Sequence, residues 1–227
     1  MTYLNKSPHS VRFRVACEAI RLLLNLYHRL CPVARYEEIG GLKLKVFPGV
    51  FDPKHTISAG LLMESGFSVQ GLVVDVGSGS GVLSLALARH ADEVISIDID
   101  YKALQNVMEN AKLYGLSDKI HVVAADIGSF HLSCKCDAVV SNPPYLPLKP
   151  VTEIDKLWCA GEGLEIVRSI ITFASKYLKE KGLLKFTSSS LSLQWVKYFL
   201  EKNKFSWSIT AMKRTPLDTI YVIEARR

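Results

Sequence analysis

The chain has 227 residues, 48% of them hydrophobic and 22% charged, which is typical of a folded globular protein and excludes a disordered or low-complexity one. This length can bury a full α/β core, so we expect one domain with an appendage. The formal net charge is +6, and residues 1–50 hold eight basic and three acidic side chains, a local excess of +5. A basic amino-terminal lobe is typical of contact with RNA, a ribosome-associated partner or an acidic protein surface; a solvated helix face explains it equally well.

The amino-terminal stretch Val11–Leu30 has polar residues at helical spacing and predicts an amphipathic helix. Arg21 interrupts what would be the apolar core of a signal peptide, and the stretch is too charged to span a bilayer. We therefore predict that residues 1–40 form a basic, amphipathic helical extension to a main domain at 41–227, and that the protein has no membrane partner.

Five cysteines occur in the chain, an odd number without the paired spacing of a zinc site. They predict reduced thiols in a cytoplasmic protein that binds no metal. The cysteines are Cys17, Cys31, Cys134, Cys136 and Cys159.

Further along, Leu42–Val46 alternates with period two and predicts a half-exposed strand, and Ile57–Ser65 predicts a short helix. From Gly71 onward, apolar runs alternate with helical patterns, which indicates a doubly wound, mostly parallel sheet. The predicted strands are Leu72–Val76, Val94–Ile97, Ile120–Ala124, Ala138–Val140 and Gly182–Phe186; the predicted helices are Gly81–His90, Tyr101–Leu113, Leu164–Leu178 and Leu193–Glu201.

The last two strand patterns, Phe205–Met212 and Thr219–Ala225, are separated by six residues, which is too short for a crossover helix. Consecutive strands with a short link pair antiparallel. The predicted fold is therefore an α/β sheet of seven strands, mostly parallel, that ends in an antiparallel hairpin.

A glycine-rich turn follows the first strand of the alternating region and opens a helix. Gly77, Ser78, Gly79 and Gly81 would let the backbone and a helix amino terminus approach a ligand closely. Asp75, two residues before the turn, would repel a pyrophosphate but suits a cationic, amine-bearing ligand. The pattern favours a cofactor with a sulfonium and an α-amino group over a dinucleotide.

Acidic residues also end the next two strands. Asp98, followed by Ile99, is placed to accept hydrogen bonds from ribose hydroxyls, although it could instead cap the next helix as Asp100 could. Asp126, followed by Ile127, could accept a hydrogen bond from an adenine amino group, or could be a solvent-facing loop acid. We predict that these four residues at 98, 99, 126 and 127 bind the cofactor.

The motif NPPY, Asn142-Pro143-Pro144-Tyr145, follows the apolar run Ala138–Val140. Two prolines restrict the backbone just after a buried strand, at the sheet edge where ligands bind in open α/β folds. The motif presents an amide, carbonyls with no competing N–H and an aromatic ring, which suit a flat –NH2 group. Read alone, it could be a strand-terminating turn with asparagine as its first residue.

Together these features resemble the class I S-adenosylmethionine-dependent methyltransferases of the NPPY group, and within it the HemK-like protein-glutamine N5-methyltransferases in their compact archaeal and eukaryotic form. The resemblance runs from about Val50 to Ala225. It is carried by Phe51-Asp52-Pro53, the glycine turn, Asp98, Asp126, NPPY, Glu153–Trp158, Ala160–Gly163 and the closing Tyr221-Val222-Ile223.

The resemblance implies S-adenosyl-L-methionine as cofactor and a Rossmann-like methyltransferase fold. It implies that the side-chain oxygen of Asn142 and the carbonyl of Pro143 accept both hydrogens of the substrate –NH2, that Tyr145 stacks on it, and that Asn142 also borders the cofactor. Pro144 and Trp158 would line the substrate cleft, although a core tryptophan is as common a role. No side chain is positioned as an obvious base.

The sequence departs from the family pattern at Phe51–Thr56, which is one residue shorter than usual and has His55 where an acid is common; we expect a loop histidine there. The amino-terminal segment is also much shorter than the helical substrate-recognition domain of bacterial relatives.

The resemblance favours methylation of the glutamine in the GGQ loop of a class I release factor. An exocyclic amine of adenine or guanine in ribosomal or transfer RNA is the alternative, and a catalytically inactive binding protein is the second. Because compact members of the family often work with a small zinc-binding activator subunit, the resemblance implies such a partner on an edge of the sheet. Alternatively, the helix at 11–30 could cover the exposed apolar surface.

Overall fold

The computed structural model describes residues 11–30, 34–54 and 56–227. Within them the chain forms nine strands, six α-helices and one 3₁₀ turn at Ile154–Leu157. The strands are β1 Arg35–Ile39, β2 Leu42–Val46, β3 Leu72–Val76, β4 Glu93–Asp98, β5 Ile120–Ala124, β6 Cys136–Ser141, β7 Leu178–Ser189, β8 Ser206–Arg214 and β9 Thr219–Arg226. The helices are α1 Val11–Arg29, α2 Ile57–Glu64, α3 Val82–Ala88, α4 Tyr101–Leu113, α5 Glu165–Tyr177 and α6 Leu193–Lys202.

Seven of the strands form one sheet in the order β5-β4-β3-β6-β7-β9-β8. Strands β3 to β7 run parallel, whereas β9 pairs antiparallel with both β7 and β8. The predicted fold class is thereby confirmed. The strand order reverses between β3 and β6, and in such sheets the crevice at the carboxyl ends of these strands is where ligands bind.

The core lies on both faces of this sheet. Alternate residues of β3 point to opposite faces: Val73 packs in a cluster under α2, α3 and α4, and Val74 in a cluster under α5 and α6. Side chains of β3 are therefore buried on both sides, as expected for the central strand of a parallel sheet.

The two-stranded hairpin of β1 and β2 was predicted only in its second strand. Its register pairs Arg35 with Val46 and Ile39 with Leu42, so the hairpin spans the predicted division between residues 40 and 41. That division into an extension and a main domain stays a prediction.

Helix α1 confirms the predicted amphipathic helix and packs on the segment that follows β6. Its residues Phe13 and Cys17 are buried against Leu146, Trp158 and Leu191 in a third apolar cluster. Among the described residues, no helix is long and apolar enough to cross a membrane.

A buried carboxylate, Asp155, adds hydrogen bonds to the contact between α1 and the segment that follows β6. Asp155 has no exposed surface, and its oxygens accept hydrogen bonds from Asn25 Nδ2 at 2.7 Å and from the backbone N–H groups of Val151 at 2.9 Å and Thr152 at 2.8 Å. Arg21 Nη1 lies 3.4 Å away. Helix α1 and the segment after NPPY therefore form one packed unit.

Candidate active site

The glycine-rich turn lies between β3 and α3, beside the end of β4. The N–H groups of Gly77 and Ser78 both donate to the carbonyl of Ile97, at 2.8 and 3.1 Å, so the turn is tied to the neighbouring strand. Gly81 has a φ of +87°, and a Cβ at this position would lie 3.1 Å from the Cα of Val107 in α4. Glycine is therefore required at 81 both by the backbone conformation and by the close approach of α4.

Two serine hydroxyls in this turn, Ser78 Oγ and Ser80 Oγ, are buried and have no hydrogen-bond partner among the described residues. Buried hydroxyls normally have a hydrogen-bond partner, so these two are available to bind a ligand at the turn. Ser78 was predicted from the sequence and Ser80 was not.

Asp98 ends β4 and faces the turn. Its Oδ2 accepts a hydrogen bond from the Gly79 N–H and its Oδ1 from the Asp100 N–H, both at 3.0 Å. Burial raises the pKa of Asp98, and the two backbone hydrogen bonds oppose that shift. The alternative that Asp98 caps α4 does not hold, because the Asp100 carboxylate accepts the capping bond from the Lys102 N–H at 2.9 Å. Asp98 is therefore available to a ligand at the strand end.

Asp75 lies deeper than the other predicted residues. Its side chain is fully buried beneath α3, where Oδ2 accepts a hydrogen bond from Ser84 Oγ at 2.5 Å, and Ser84 Oγ lies 2.7 Å from Ser96 Oγ. Burial raises the pKa of Asp75 to about 7. Its Oδ1 has no hydrogen-bond partner among the described residues, so one oxygen could still receive a donor from a ligand.

The outer part of the crevice contains the residues that follow β4 and β5. Ile99 directly follows β4 and is 69% exposed, so its side chain is accessible to a ligand in the crevice. Asp126 is exposed, and its Oδ1 accepts a hydrogen bond from the Gly128 N–H at 2.8 Å, while Ile127 is half-buried. The structure thus brings a carboxylate and an apolar wall to the end of each strand.

The NPPY motif follows β6 directly, across the switch point from the glycine turn. Ser141 Oγ donates to the carbonyl of Val76 at 2.7 Å, which ties the ends of β6 and β3 together. Asn142 is half-buried, and its Oδ1 accepts a hydrogen bond from Thr187 Oγ1 at 2.6 Å. Pro143 is buried and Pro144 is half-buried.

Tyr145 is half-buried between the sheet and the cluster beneath α1. Burial, with a smaller contribution from the negative charge of Asp218, raises the pKa of its phenol above the usual value. A tyrosine with a raised pKa stays neutral at physiological pH, so this ring can form a wall but not an anionic base.

Residues 41–202 match the family model described as the methyltransferase small domain. A protein of Methanocaldococcus jannaschii with the provisional name protein N5-glutamine methyltransferase is 32% identical over 200 residues, which cover 84% of this chain and 98% of that protein.

The chain belongs to this methyltransferase family, in its HemK-like protein-glutamine N5 group. The predicted methyltransferase activity and the predicted cofactor, S-adenosyl-L-methionine, are thereby confirmed. The Fusobacterium nucleatum release factor glutamine methyltransferase is 28% identical over 74% of this chain, which spans 52% of that protein. The fold matches the solved T. thermophilus 16S rRNA N2 G1207 methyltransferase with AdoMet and guanosine, at a TM-score of 0.63 and 23% identity over 86% of this chain and 50% of that one.

The polar groups in the crevice of this methyltransferase fit those of its cofactor. S-adenosyl-L-methionine carries an ammonium, a sulfonium and a ribose, and the crevice offers an unpartnered carboxylate oxygen of Asp75, the Asp98 carboxylate and two unpartnered serine hydroxyls. The assignment of individual residues to parts of the cofactor stays a prediction.

The segment Phe51–Thr56 lies beside the glycine turn. A Cβ at Gly79 would be 3.7 Å from Phe51 Cβ, and the ring of Phe51 lies 5.4 Å from that of Trp158. Asp52 is buried and accepts bonds from Arg35 and, at 3.1 Å, from Tyr27 Oη. His55 lies outside the described residues.

Trp158 is 5% exposed, packs in the cluster beneath α1 and lies with its ring next to that of Phe51. Its place in the substrate cleft stays a prediction. Two other site features escaped sequence analysis. Thr187 on β7 contacts Asn142, and Asn110 on α4 donates to the carbonyls of Ser80 and Lys45, each at 2.8 Å. An asparagine on the buried face of an amphipathic helix was the one signal available for Asn110.

Proposed function

We propose that this methyltransferase methylates the side-chain amide nitrogen of glutamine in the GGQ loop of a class I release factor. The observation that carries the proposal is Asn142, an amide fixed at the carboxyl end of β6 and followed by the buried carbonyl-bearing Pro143. The name of the M. jannaschii relative supports a protein glutamine as substrate, and the name of the F. nucleatum relative supports a release factor glutamine.

The residues of the motif would hold the substrate nitrogen by its two hydrogens. Asn142 Oδ1 keeps one lone pair beyond the bond to Thr187, and the Pro143 carbonyl supplies a second acceptor. Two such bonds would fix the direction of the nitrogen lone pair and increase its electron density, which matters because an amide nitrogen is a poor nucleophile. The neutral ring of Tyr145 would stack on the planar amide.

When bound, S-adenosyl-L-methionine supplies a methyl group on a positively charged sulfur. The apolar surroundings of the motif, with Pro143 buried and Leu146 at 0% exposure, would limit the access of water during the transfer. Methyl transfer to the nitrogen must be followed by loss of one of its protons, and we assign no side chain as the base; the proton would pass to water when the products leave and the site reopens.

The substitution Asn142→Ala tests this assignment. We expect methyl transfer to collapse while cofactor affinity, measured by calorimetry, stays nearly unchanged. Asn203→Ala is the matched control, because the Asn203 amide donates to the Phe199 carbonyl at the end of α6, far along the chain from NPPY. Equal loss of cofactor affinity and activity in Asn142→Ala would contradict the assignment.

An exocyclic amine of an RNA base is the second candidate, because NPPY suits any planar –NH2 and the first 50 residues carry most of the net positive charge. A transfer assay with labelled methyl groups should offer a class I release factor and total RNA side by side, and digestion should locate the label. Label confined to RNA would replace the proposed substrate. An inactive binding protein would label neither and would not bind cofactor.

The predicted zinc-binding activator subunit is also a proposal. Strand β5 is an outer strand of the sheet, and the adjacent α4 exposes Met108 at 55% and Leu113 at 57%, an apolar surface suited to such a partner. Helix α1 packs on the segment after β6 instead and would not cover it. A purified chain that is monodisperse and fully active alone would exclude an obligate activator.

We also propose the predicted cytoplasmic location. The predicted helical extension at 1–40 remains a proposal. Four of the five cysteines lie in the described part of the chain, and all four are free thiols. Free thiols are typical of a reducing compartment, where release factors act.

A further inference from the structure

A buried threonine on β7 contacts the amide that binds the substrate. Thr187 has no exposed surface, and its Oγ1 donates to Asn142 Oδ1 at 2.6 Å. The parallel register pairs Ser141, the last residue of β6, with Phe186 of β7, so Asn142, which directly follows β6, lies beside Thr187. The contact therefore follows from the sheet itself and not from a flexible loop.

This bond bears on which end of the Asn142 amide faces the crevice. A side-chain amide has an acceptor oxygen and a donor –NH2 of almost the same shape, and a half-turn about its last torsion exchanges them. The hydroxyl of Thr187 occupies one lone pair of Oδ1 and leaves the other available. If the amide turned over, its –NH2 would face the –NH2 of the substrate, and donor would meet donor.

The neighbouring hydroxyls on β7 make different contacts. Ser188 Oγ lies 3.0 Å from Ser192 Oγ, and Ser189 Oγ donates to Asp218 at 2.8 Å. These two bonds connect β7 to later segments, at the start of α6 and in the link between β8 and β9, and do not reach Asn142. Threonine is also branched at Cβ, which restricts its first side-chain torsion and fixes the direction of its hydroxyl.

We propose that Thr187 is a positioning residue, which holds the Asn142 oxygen in the orientation that accepts a hydrogen from the substrate nitrogen. The inference rests on the proposed function, since it needs a planar –NH2 substrate at Asn142. It applies to a glutamine amide and to a base amine alike.

Kinetics of three full-length variants test the proposal. In Thr187→Val, which keeps the shape and removes the hydroxyl, we expect kcat on the release factor to fall roughly three- to tenfold, the equivalent of one hydrogen bond, with unchanged cofactor affinity. Thr187→Ser should restore most of the rate. Ser188→Ala removes a buried hydroxyl next to it on the same strand and should leave kcat unchanged.

A spectroscopic measurement separates this inference from the choice of substrate. The side-chain amide signal of Asn142 in a ¹H–¹⁵N spectrum, assigned through Asn142→Asp, should shift in Thr187→Val and return in Thr187→Ser. If the wild type does not methylate a release factor, the proposed substrate fails, and this spectrum still decides whether Thr187 holds the amide.

Three results would overturn the proposal. They are an unchanged Asn142 signal in Thr187→Val, an unchanged kcat in that variant on a substrate that the wild type methylates, and an equal loss of kcat in Thr187→Val and Thr187→Ser. The last result would show that packing matters and the hydroxyl does not.

Discussion

Asp155 should stabilise the contact between α1 and the segment that carries NPPY, and Asp155→Asn removes its charge at constant shape. The carboxylate accepts bonds from Asn25 and from the N–H groups of Val151 and Thr152, all at 2.9 Å or less. In the variant one oxygen becomes a donor, and at least one N–H group loses its acceptor. A hydrogen bond to a charged group contributes about 1.5–3 kcal/mol, so we expect the free energy of unfolding to fall by about 3 kcal/mol.

Urea unfolding of the full chain measures this loss, and Glu153→Gln is the control. Glu153 pairs with Lys156 at 2.8 Å, but both side chains are exposed, at 88% and 58%. An exposed pair contributes less than about 1 kcal/mol. Equal losses in the two variants would refute the role given to Asp155.

The same contact has a pH signature. Burial alone would raise the pKa of Asp155, but the bonds from Asn25, Val151 and Thr152 outweigh it and lower the pKa to about 2. The unfolded carboxyl titrates near 4, so this stabilisation is present above about pH 4 and is lost as the pH falls towards 2. The difference between wild type and Asp155→Asn should therefore shrink over that interval; a constant difference would contradict the assignment.

Three further predictions concern the cofactor crevice. Asp98→Ala should weaken S-adenosyl-L-methionine binding by about 1.5–3 kcal/mol in calorimetry, and unchanged affinity would remove Asp98 from the site. Gly81→Ala should lower the Tm more than Gly115→Ala, because both have positive φ but only Gly81 faces another backbone, at 3.1 Å, and equal shifts would contradict that reason. Since the pKa of Asp75 is raised to about 7, its carboxyl lowers stability as the pH rises from about 4 to about 7. If the cofactor ammonium contacts Asp75, binding near pH 7 should release protons, seen as buffer-dependent heat that Asp75→Asn lacks.

Strands and helices with strong periodicity were predictable from sequence. Helix α4 begins and ends at the predicted residues, because its apolar stripe is regular and Asp100 caps its first turn. Strand β1, with the sequence RYEEI, was missed because three charges obscure any alternation. Arg35 and Glu37 pair along the strand, and Glu37 also pairs with Lys54, a contact that only the folded chain brings together.

Strand β7 shows why tertiary contacts override local pattern. It was predicted at Gly182–Phe186 but extends through Thr187, Ser188 and Ser189, three polar residues that read locally as a loop. They are buried, and they pair with Val222, Tyr221 and Ile220 of β9, which local sequence does not reveal. The candidate site divides in the same way: glycines and acids at strand ends are visible in sequence, whereas the contact of Thr187 with Asn142 depends on strand register.

The hydrogen bonds of Asn110, which connect α4 to the hairpin and to the glycine turn, have a consequence for sequence divergence. Its amide –NH2 serves the carbonyl of Lys45, 65 residues away, and that of Ser80, 30 residues away, while its oxygen accepts from the Lys45 N–H at 2.9 Å. Only main-chain atoms of Lys45 and Ser80 take part, so these bonds place no demand on either side chain. Replacement of Asn110 would leave two carbonyls and one N–H without this partner at once. Among relatives that keep this hairpin, position 110 should therefore vary far less than position 45, whose side chain takes no part in these bonds.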